Sequence, residues 1–190
     1  MIKIDLHTHS ILSHDGGISQ EEYEKVLSQR ILDNIAITDH NEIDFALKLQ
    51  QKLGGRIIVG EEIMTQSGEV IGLYLSEYIK PYLTLEETVH EIKNQGGLVY
   101  VPHPFDIRRH AIGNKNCIGI LSDIDIIETF NARNITFFNN KKAELFAQKN
   151  SITPGLGSDS HSFSELGRSY CSLENSPDKT TLKELLKRGT

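Results

Sequence analysis

Two imidazoles, His7 and His9, sit in Asp5-Leu6-His7-Thr8-His9, directly after the apolar-alternating run Met1-Ile2-Lys3-Ile4. A strand turns alternate side chains to one face, so the two rings would stand side by side with Asp5 one step earlier. Neighbouring imidazoles beside a carboxylate suit a divalent ion such as zinc, iron or manganese. Comparable groups recur wherever an apolar run stops. His14 and Asp15 precede Gly16, His40 follows Asp39, Glu62 follows Gly60-Glu61, and His103 lies between two prolines. Glu128 follows Ile126-Ile127, and Asp159 and His161 close Gly157-Ser158-Asp159-Ser160-His161. Six of the eight histidines share this strand-end context, and His90 and His110 do not. Carboxylates gathered in one place are costly to bury without cations. The candidates outnumber the ligands of one four- to six-coordinate ion, which implies two or three ions with a carboxylate such as Glu62 bridging a pair.

The elements that would carry these groups alternate in type. Apolar strands are expected at Ile35–Ile37, Arg56–Val59, Val70–Leu75, Leu98–Val101, Ile124–Ile127 and Ile152–Leu156, with Ser67-Gly68 turning Arg56–Val59 into Val70–Leu75 as a hairpin. Ser19 with Glu22 and Thr84 with Glu87 are capping boxes that open helices. Asn41 is expected to cap another helix that Gly54-Gly55 stops, and further helices run from about Asn134 to Gln148 and from Thr181 to Lys187. Residues 105–119 read as loop. Strands alternating with helices argue for a mainly parallel sheet with crossover helices. The polar clusters all follow strand carboxyl ends, where α/β barrels and open sheets bind ligands. The expected architecture is α/β, a small irregular barrel formed by residues 1–190 as one domain.

Composition narrows the partners. The chain has 38% hydrophobic and 24% charged residues and a net charge of −6, which disfavours long nucleic acid and anionic membranes as partners. The cysteines, Cys117 and Cys171, have no metal-like spacing and read as free thiols. No apolar run approaches membrane-spanning length, and the first residues enter a strand without a signal peptide, so a cytoplasmic protein is expected.

The motifs Asp5-Leu6-His7-Thr8-His9-Ser10, Ile37-Thr38-Asp39-His40-Asn41, Gly60-Glu61-Glu62, His103-Pro104 and Gly157-Ser158-Asp159-Ser160-His161 span nearly the whole chain. In this order they resemble the PHP superfamily, the polymerase and histidinol phosphatase domain. The resemblance implies a distorted seven-stranded (β/α) barrel holding two or three Zn, Mn or Fe ions and hydrolysing phosphoesters. By it, His7, His9, Glu62 and Asp159 hold one ion, and Glu62 with His103 a second. His40 and His161 hold the third with Asp15 or His14, of which Asp15 is preferred because it directly precedes Gly16. One departure stands out: the histidine that trinuclear members carry shortly after the Glu128 position is absent. Asn131 and Arg133 occupy that neighbourhood, leaving Glu128 or water for the second ion.

The implied reaction is attack on phosphorus by a hydroxide bridging two ions, on a small phosphorylated metabolite or nucleotide. Arg108 and Arg109 follow His103-Pro104 and are expected to grip a phosphate oxygen, with Arg133 and Arg168 as further candidates. Asp39 is expected to orient an imidazole, Glu61 to be a surface charge, and His90 to face solvent. Two other readings compete: a metal-binding module without catalysis, and a hydrolase of short oligonucleotides or nucleoside bisphosphates.

Overall fold

In the computed structural model, which describes residues 1–189, the site is built from the carboxyl ends of the parallel strands. β1 (Ile2–Asp5), β2 (Asn34–Ile37) and the first half of β3 (Ile57–Thr65) pair in parallel, as do β5 (Leu98–Val101), β6 (Ile126–Asn131) and β7 (Thr153–Gly157). Between the two sets, β4 (Gly68–Leu73) runs antiparallel to both β3 and β5, so the expected hairpin is present, closed at Thr65↔Gly68. An eighth strand, β8 (Cys171–Leu173), lies antiparallel to β1. The sheet order is β7-β6-β5-β4-β3-β2-β1-β8.

The barrel closes beyond the strands proper. The His9 N–H donates to the Ser160 carbonyl at 2.8 Å, and the Asp159 N–H to the His7 carbonyl at 2.8 Å. These bonds bring the ends of β1 and β7 together where the metal-type residues lie, while β8 pairs with Ile2, Lys3 and Ile4 of β1. Seven strands thus surround the site as expected, and the eighth is an addition. Its three residues are too few to show alternation, and it is held by pairing with β1.

Inner positions change character along the strands. On β3, Ile58 sits in the inner core and Glu62, on the same face, reaches the site; on β6, Ile126 is followed by Glu128. Below, Ile4, Leu6, Ile71, Leu73 and Tyr100 fill the barrel, and Leu182 and Leu186 of α6 (Leu182–Arg188) pack against them. The outer strand faces, such as Ile35, Ile37, Val99 and Val101, bury against helices in a second core. Gly157 has no Cβ for a steric reason: one there would lie 2.2 Å from Glu128 Oε1 and 2.5 Å from His7 Cβ.

Ser19 and Thr84 form complete capping boxes on α1 (Gln20–Ser28) and α3 (Leu85–Asn94). The helix α2 (Asp44–Leu53) departs from expectation. Asn41 adopts φ +52° and spends its Oδ1 on the Met64 N–H at 2.8 Å, while the Glu42 carboxylate accepts the Ile43 and Asp44 N–H groups at 2.8 and 2.7 Å. Residues 105–119 are not all loop: α4 (Gly113–Gly119) forms on a Gly- and Asn-rich sequence of poor propensity because Cys117 and the flanking Ile112 and Ile120 bury into the outer core. α5 (Phe137–Asn150) starts after Thr136 rather than at Asn134. Cys117 and Cys171 are buried free thiols. No helix among the described residues is long and apolar enough to cross a membrane.

Candidate metal centre

Glu62 stands at the middle of the site. Its Oε2 lies 3.1 Å from His7 Nε2, 3.2 Å from His9 Nε2 and 3.4 Å from His40 Nδ1, and its Oε1 lies 3.0 Å from His103 Nε2. Asp159 Oδ1 is 3.6 Å from His7 Nε2 and 3.4 Å from His9 Nε2. Asp15 Oδ2 faces His161 Nε2 at 3.1 Å and His40 Nε2 at 3.8 Å. Overlapping ligand groups result, each with its donor atoms within 4.8 Å of one another, among them His7, His9 and Asp159; His7, Glu62 and His103; and His9, Asp15, His40 and His161.

The donor set fits cations. Asp159 Oδ1 is fully buried and accepts no hydrogen bond. His7 Nε2 and His9 Nε2 face each other at 3.1 Å, and a pair of ring nitrogens at that distance can share only one proton. Each ring is held from behind: His7 Nδ1 meets Glu128 Oε1 at 3.0 Å and His9 Nδ1 meets Ser13 Oγ at 3.2 Å, which leaves the Nε2 atoms to the centre.

Electrostatics say the same. Burial works against charge on His7 and His9, yet the carboxylates around them win, raising His7 well above the usual histidine range and His9 to about 9. Glu62 and Asp159 are held well below the carboxylate range because, against burial, the adjacent imidazoles favour their charge. His40 falls to about 4, chiefly by burial and with the His9 charge adding to it. The centre therefore attracts positive charge, which a divalent ion would supply.

Several expected residues have other duties. The His14 side chain is 74% exposed and joins none of the groups, whereas Asp15 does; of the two first-loop candidates, the geometry brings in Asp15. Glu128 is not placed as a ligand. Its Oε1 takes His7 Nδ1 and the Tyr100 hydroxyl (2.8 Å), and its Oε2 takes the His103 N–H (2.6 Å) and Asn131 Nδ2 (2.9 Å). Asp39 orients no imidazole: both its oxygens accept from Ser10, N–H and hydroxyl, each at 2.5 Å, which fixes the loop after β1. Asp5 likewise holds backbone, accepting the His7 and Ser158 N–H groups at 3.2 and 3.0 Å. Glu61 is no surface charge; it is fully buried, accepts the Ile79 N–H at 2.9 Å, and burial pushes it up to about 8.

Above the ligands opens a cavity of about 720 Å³. Arg108, Arg109, Arg133 and His110 line it with Met64, Tyr82 and Ile135. Arg109 is committed to the site itself, pairing with Asp159 Oδ2 and donating to Asn131 Oδ1 at 3.3 Å. Arg108 is exposed, as is Arg133, and among the described residues neither guanidinium has an ion-pair partner. Arg168 lies outside the cavity lining. Two residues of the site escaped sequence reasoning. Asn131 was visible only as the occupant of a missing histidine's neighbourhood. Glu69 is buried beside His40 and His103, and burial and then the Glu62 charge push it up to about 8. The signal for Glu69 was parity, since it shares the inner face of β4 with Ile71 and Leu73.

The PHP domain model matches residues 5–150, most of the chain, and a PHP-associated model matches residues 138–190. The chain belongs to the PHP domain family. This PHP protein is 36% identical over 198 residues to the uncharacterized protein MJ0417 of Methanocaldococcus jannaschii, covering 97% of this chain and 78% of that one. A second uncharacterized protein of that organism, MJ1587, is 38% identical over 146 residues, covering 69% of this chain and 82% of its own length. Among solved structures, a two-domain protein from Bacteroides vulgatus, described as containing a predicted PHP-like metal-dependent phosphoesterase, shares the fold with a TM-score of 0.76 at 20% identity. The match covers 98% of the PHP chain and 63% of the two-domain protein. An amidohydrolase from Chromobacterium violaceum, solved with bound sulfate and no metal, has a TM-score of 0.71 at 16% identity, with 98% and 97% of the two chains covered.

Proposed function

We propose that this PHP protein is a metal-dependent phosphoesterase that hydrolyses a small phosphorylated metabolite or nucleotide with two or three Zn, Mn or Fe ions. The observation that carries the reading is the stack of overlapping ligand groups at the floor of an arginine-lined cavity. His7, His9, Glu62 and Asp159 would hold one ion, Glu62 and His103 would reach a second, and Asp15, His40 and His161 a third. Ions held there supply Lewis acidity, lowering the pKa of water and neutralising charge on a phosphoryl group.

The chain's own groups prepare that chemistry. Glu128 fixes the His7 ring so that Nε2 faces inward. Arg109 and Asn131 hold Asp159 Oδ2, which aims Oδ1 at the ligand nitrogens. Arg108 and Arg133 line the cavity wall without an ion-pair partner among the described residues, and would take phosphate oxygens in paired hydrogen bonds. They also give an anionic substrate a local field opposite to the overall charge of −6. The cavity volume of about 720 Å³ suits a metabolite or mononucleotide.

The test is turnover of a panel of phosphomonoesters and nucleotides by protein loaded with Mn, Zn or Fe, beside His9→Ala. Hydrolysis of at least one substrate, lost in the variant by about a thousandfold or more, is expected, since His9 serves two ligand groups. Ion binding with no turnover above His9→Ala would overturn the catalytic reading and leave a metal-binding module.

A further inference from the structure

We infer that Glu69 completes the site of the second ion, the ligand coming from the antiparallel hairpin rather than from the strand end after Glu128. The inference rests on the metal-centre reading above and is independent of whether that centre turns over substrate. Glu62 and His103 approach each other at 3.0 Å, but the strand end beyond Glu128 has nothing further to offer them. The Asn131 amide there is spent: its Nδ2 donates to Glu128 Oε2 at 2.9 Å and to Asp159 Oδ2 at 2.8 Å, and its Oδ1 accepts from the Arg133 N–H at 2.9 Å and from Arg109.

Glu69 approaches from the opposite wall. In the β3–β4 register Glu62 pairs with Ile71 and Met64 with Glu69, so Glu69 lies diagonal to Glu62 on the same inner face. One Glu69 oxygen is 3.5 Å from His40 Nδ1 and the other 3.7 Å from His103 Nε2. It thus spans the same two imidazoles as Glu62, and His40, Glu62 and Glu69 form a further group with donor atoms within 4.8 Å. The residue is 4% exposed, and among the described residues its carboxylate accepts no hydrogen bond. Glu69 also lines the cavity above the ligands, so a carboxyl with no donor of its own faces Glu62 and two imidazoles, an arrangement that a cation would complete.

The backbone keeps Glu69 where it is. Its N–H donates to the His110 carbonyl at 2.6 Å. The preceding Gly68 has φ +116°, and a Cβ on it would lie 2.5 Å from that same carbonyl. The 110–111 segment therefore crosses tightly over the hairpin, and the carboxylate is fixed toward the imidazoles. Arg109 is turned to Asp159, and among the described residues it makes no ion pair with Glu69.

The test compares ion content and affinity, by elemental analysis after dialysis and by Mn or Zn titration, in the wild type, Glu69→Gln, Glu69→His and Glu61→Gln. Glu69→Gln keeps the shape and removes the charge; it is expected to retain about one ion fewer per chain, or to bind one ion at least tenfold more weakly. Its chelated form should melt no lower than chelated wild type, because the carboxyl it replaces accepts no hydrogen bond that would be lost. Glu69→His, which offers a ring nitrogen instead, should hold the ion better than Glu69→Gln. Glu61→Gln removes a neighbouring buried carboxylate that faces Ile79 and should match wild type. Unchanged ion content and affinity in Glu69→Gln would overturn the inference, and so would an equal loss in Glu61→Gln. A protein that loses an ion in Glu69→Gln yet hydrolyses no phosphoester would support this inference while sinking the phosphoesterase reading.

Discussion

Glu128 meets four donors at once: a ring nitrogen, a phenol, a backbone N–H and an amide. That arrangement can be satisfied only by a carboxylate. In Glu128→Gln the new NH2 must face two donors whichever way the amide is turned. Either His7 or the His103–Asn131 side then loses its acceptor, and both rings belong to groups that could hold an ion. Metal affinity is expected to fall about 10- to 100-fold, the usual scale for losing a partner that orients a ligand. Titration with Mn or Zn checks this, and an unaltered isotherm would refute it. The same residue shows where sequence reading stops. Spacing and strand ends identified the imidazoles and carboxylates that would gather, because apolar runs announce where a strand delivers its last side chain. Spacing does not say which oxygen meets which hydrogen, so Glu128 read as a ligand and Asp39 as a ring-orienting group, whereas one secures His7 and the other secures Ser10. Glu69 stayed hidden because it lies inside a strand rather than at its end.

Asp125 shows what binds the elements beneath the site to one another. It lies in the turn before β6, accepts from Lys183 of α6 at 2.8 Å and from the β5 Val99 N–H at 2.9 Å, and pairs with Lys93 of α3. Burial works against its charge, but the bonds from Lys183, Lys93 and Val99 prevail and hold its carboxyl below the ordinary range. A carboxyl depressed in the folded state stabilises above the unfolded pKa of about 3.9, and that contribution disappears as pH falls through the folded value. Both lysines keep over a third of their side chains in solvent, so the contribution is discounted to about 1 kcal/mol. Asp125→Asn should therefore lower the urea midpoint at pH 7 by that equivalent, with the gap to wild type narrowing below about pH 4. An equal gap at pH 7 and at pH 3 would contradict it. Elements of this kind were legible to the degree that their own residues specify them: the capping boxes of α1 and α3 and the apolar run of β5 carry their signal locally. β8 and α4 do not. One exists by pairing with β1 and the other by burying Cys117, Ile112 and Ile120, both of which depend on distant chain.

The molecule as a whole joins an apolar lower barrel to an upper end crowded with acids and imidazoles, and these two halves should respond differently to metal removal. Each ion that binds only the folded state adds about 2.7 kcal/mol when its free concentration is a hundred times its Kd. For a domain of this size 1 kcal/mol is worth about 2–4 °C in Tm. Two ions would thus raise Tm by about 10–20 °C over the chelated protein, and differential scanning calorimetry with and without a chelator reads it directly. The loss should be local before it is global. The strand ends that carry His7, Glu62, His103 and Asp159 crowd carboxylates and imidazoles together, whereas Leu182 and Leu186 close the lower core by apolar packing. Hydrogen exchange after chelation is therefore expected to accelerate at residues 7–9, 60–62 and 157–161 while the amides of β5 and of lower β3 remain protected. Uniform acceleration throughout the barrel would mean that the upper end is part of the folding core. An unchanged Tm would mean that the gathered ligands hold no ion at all.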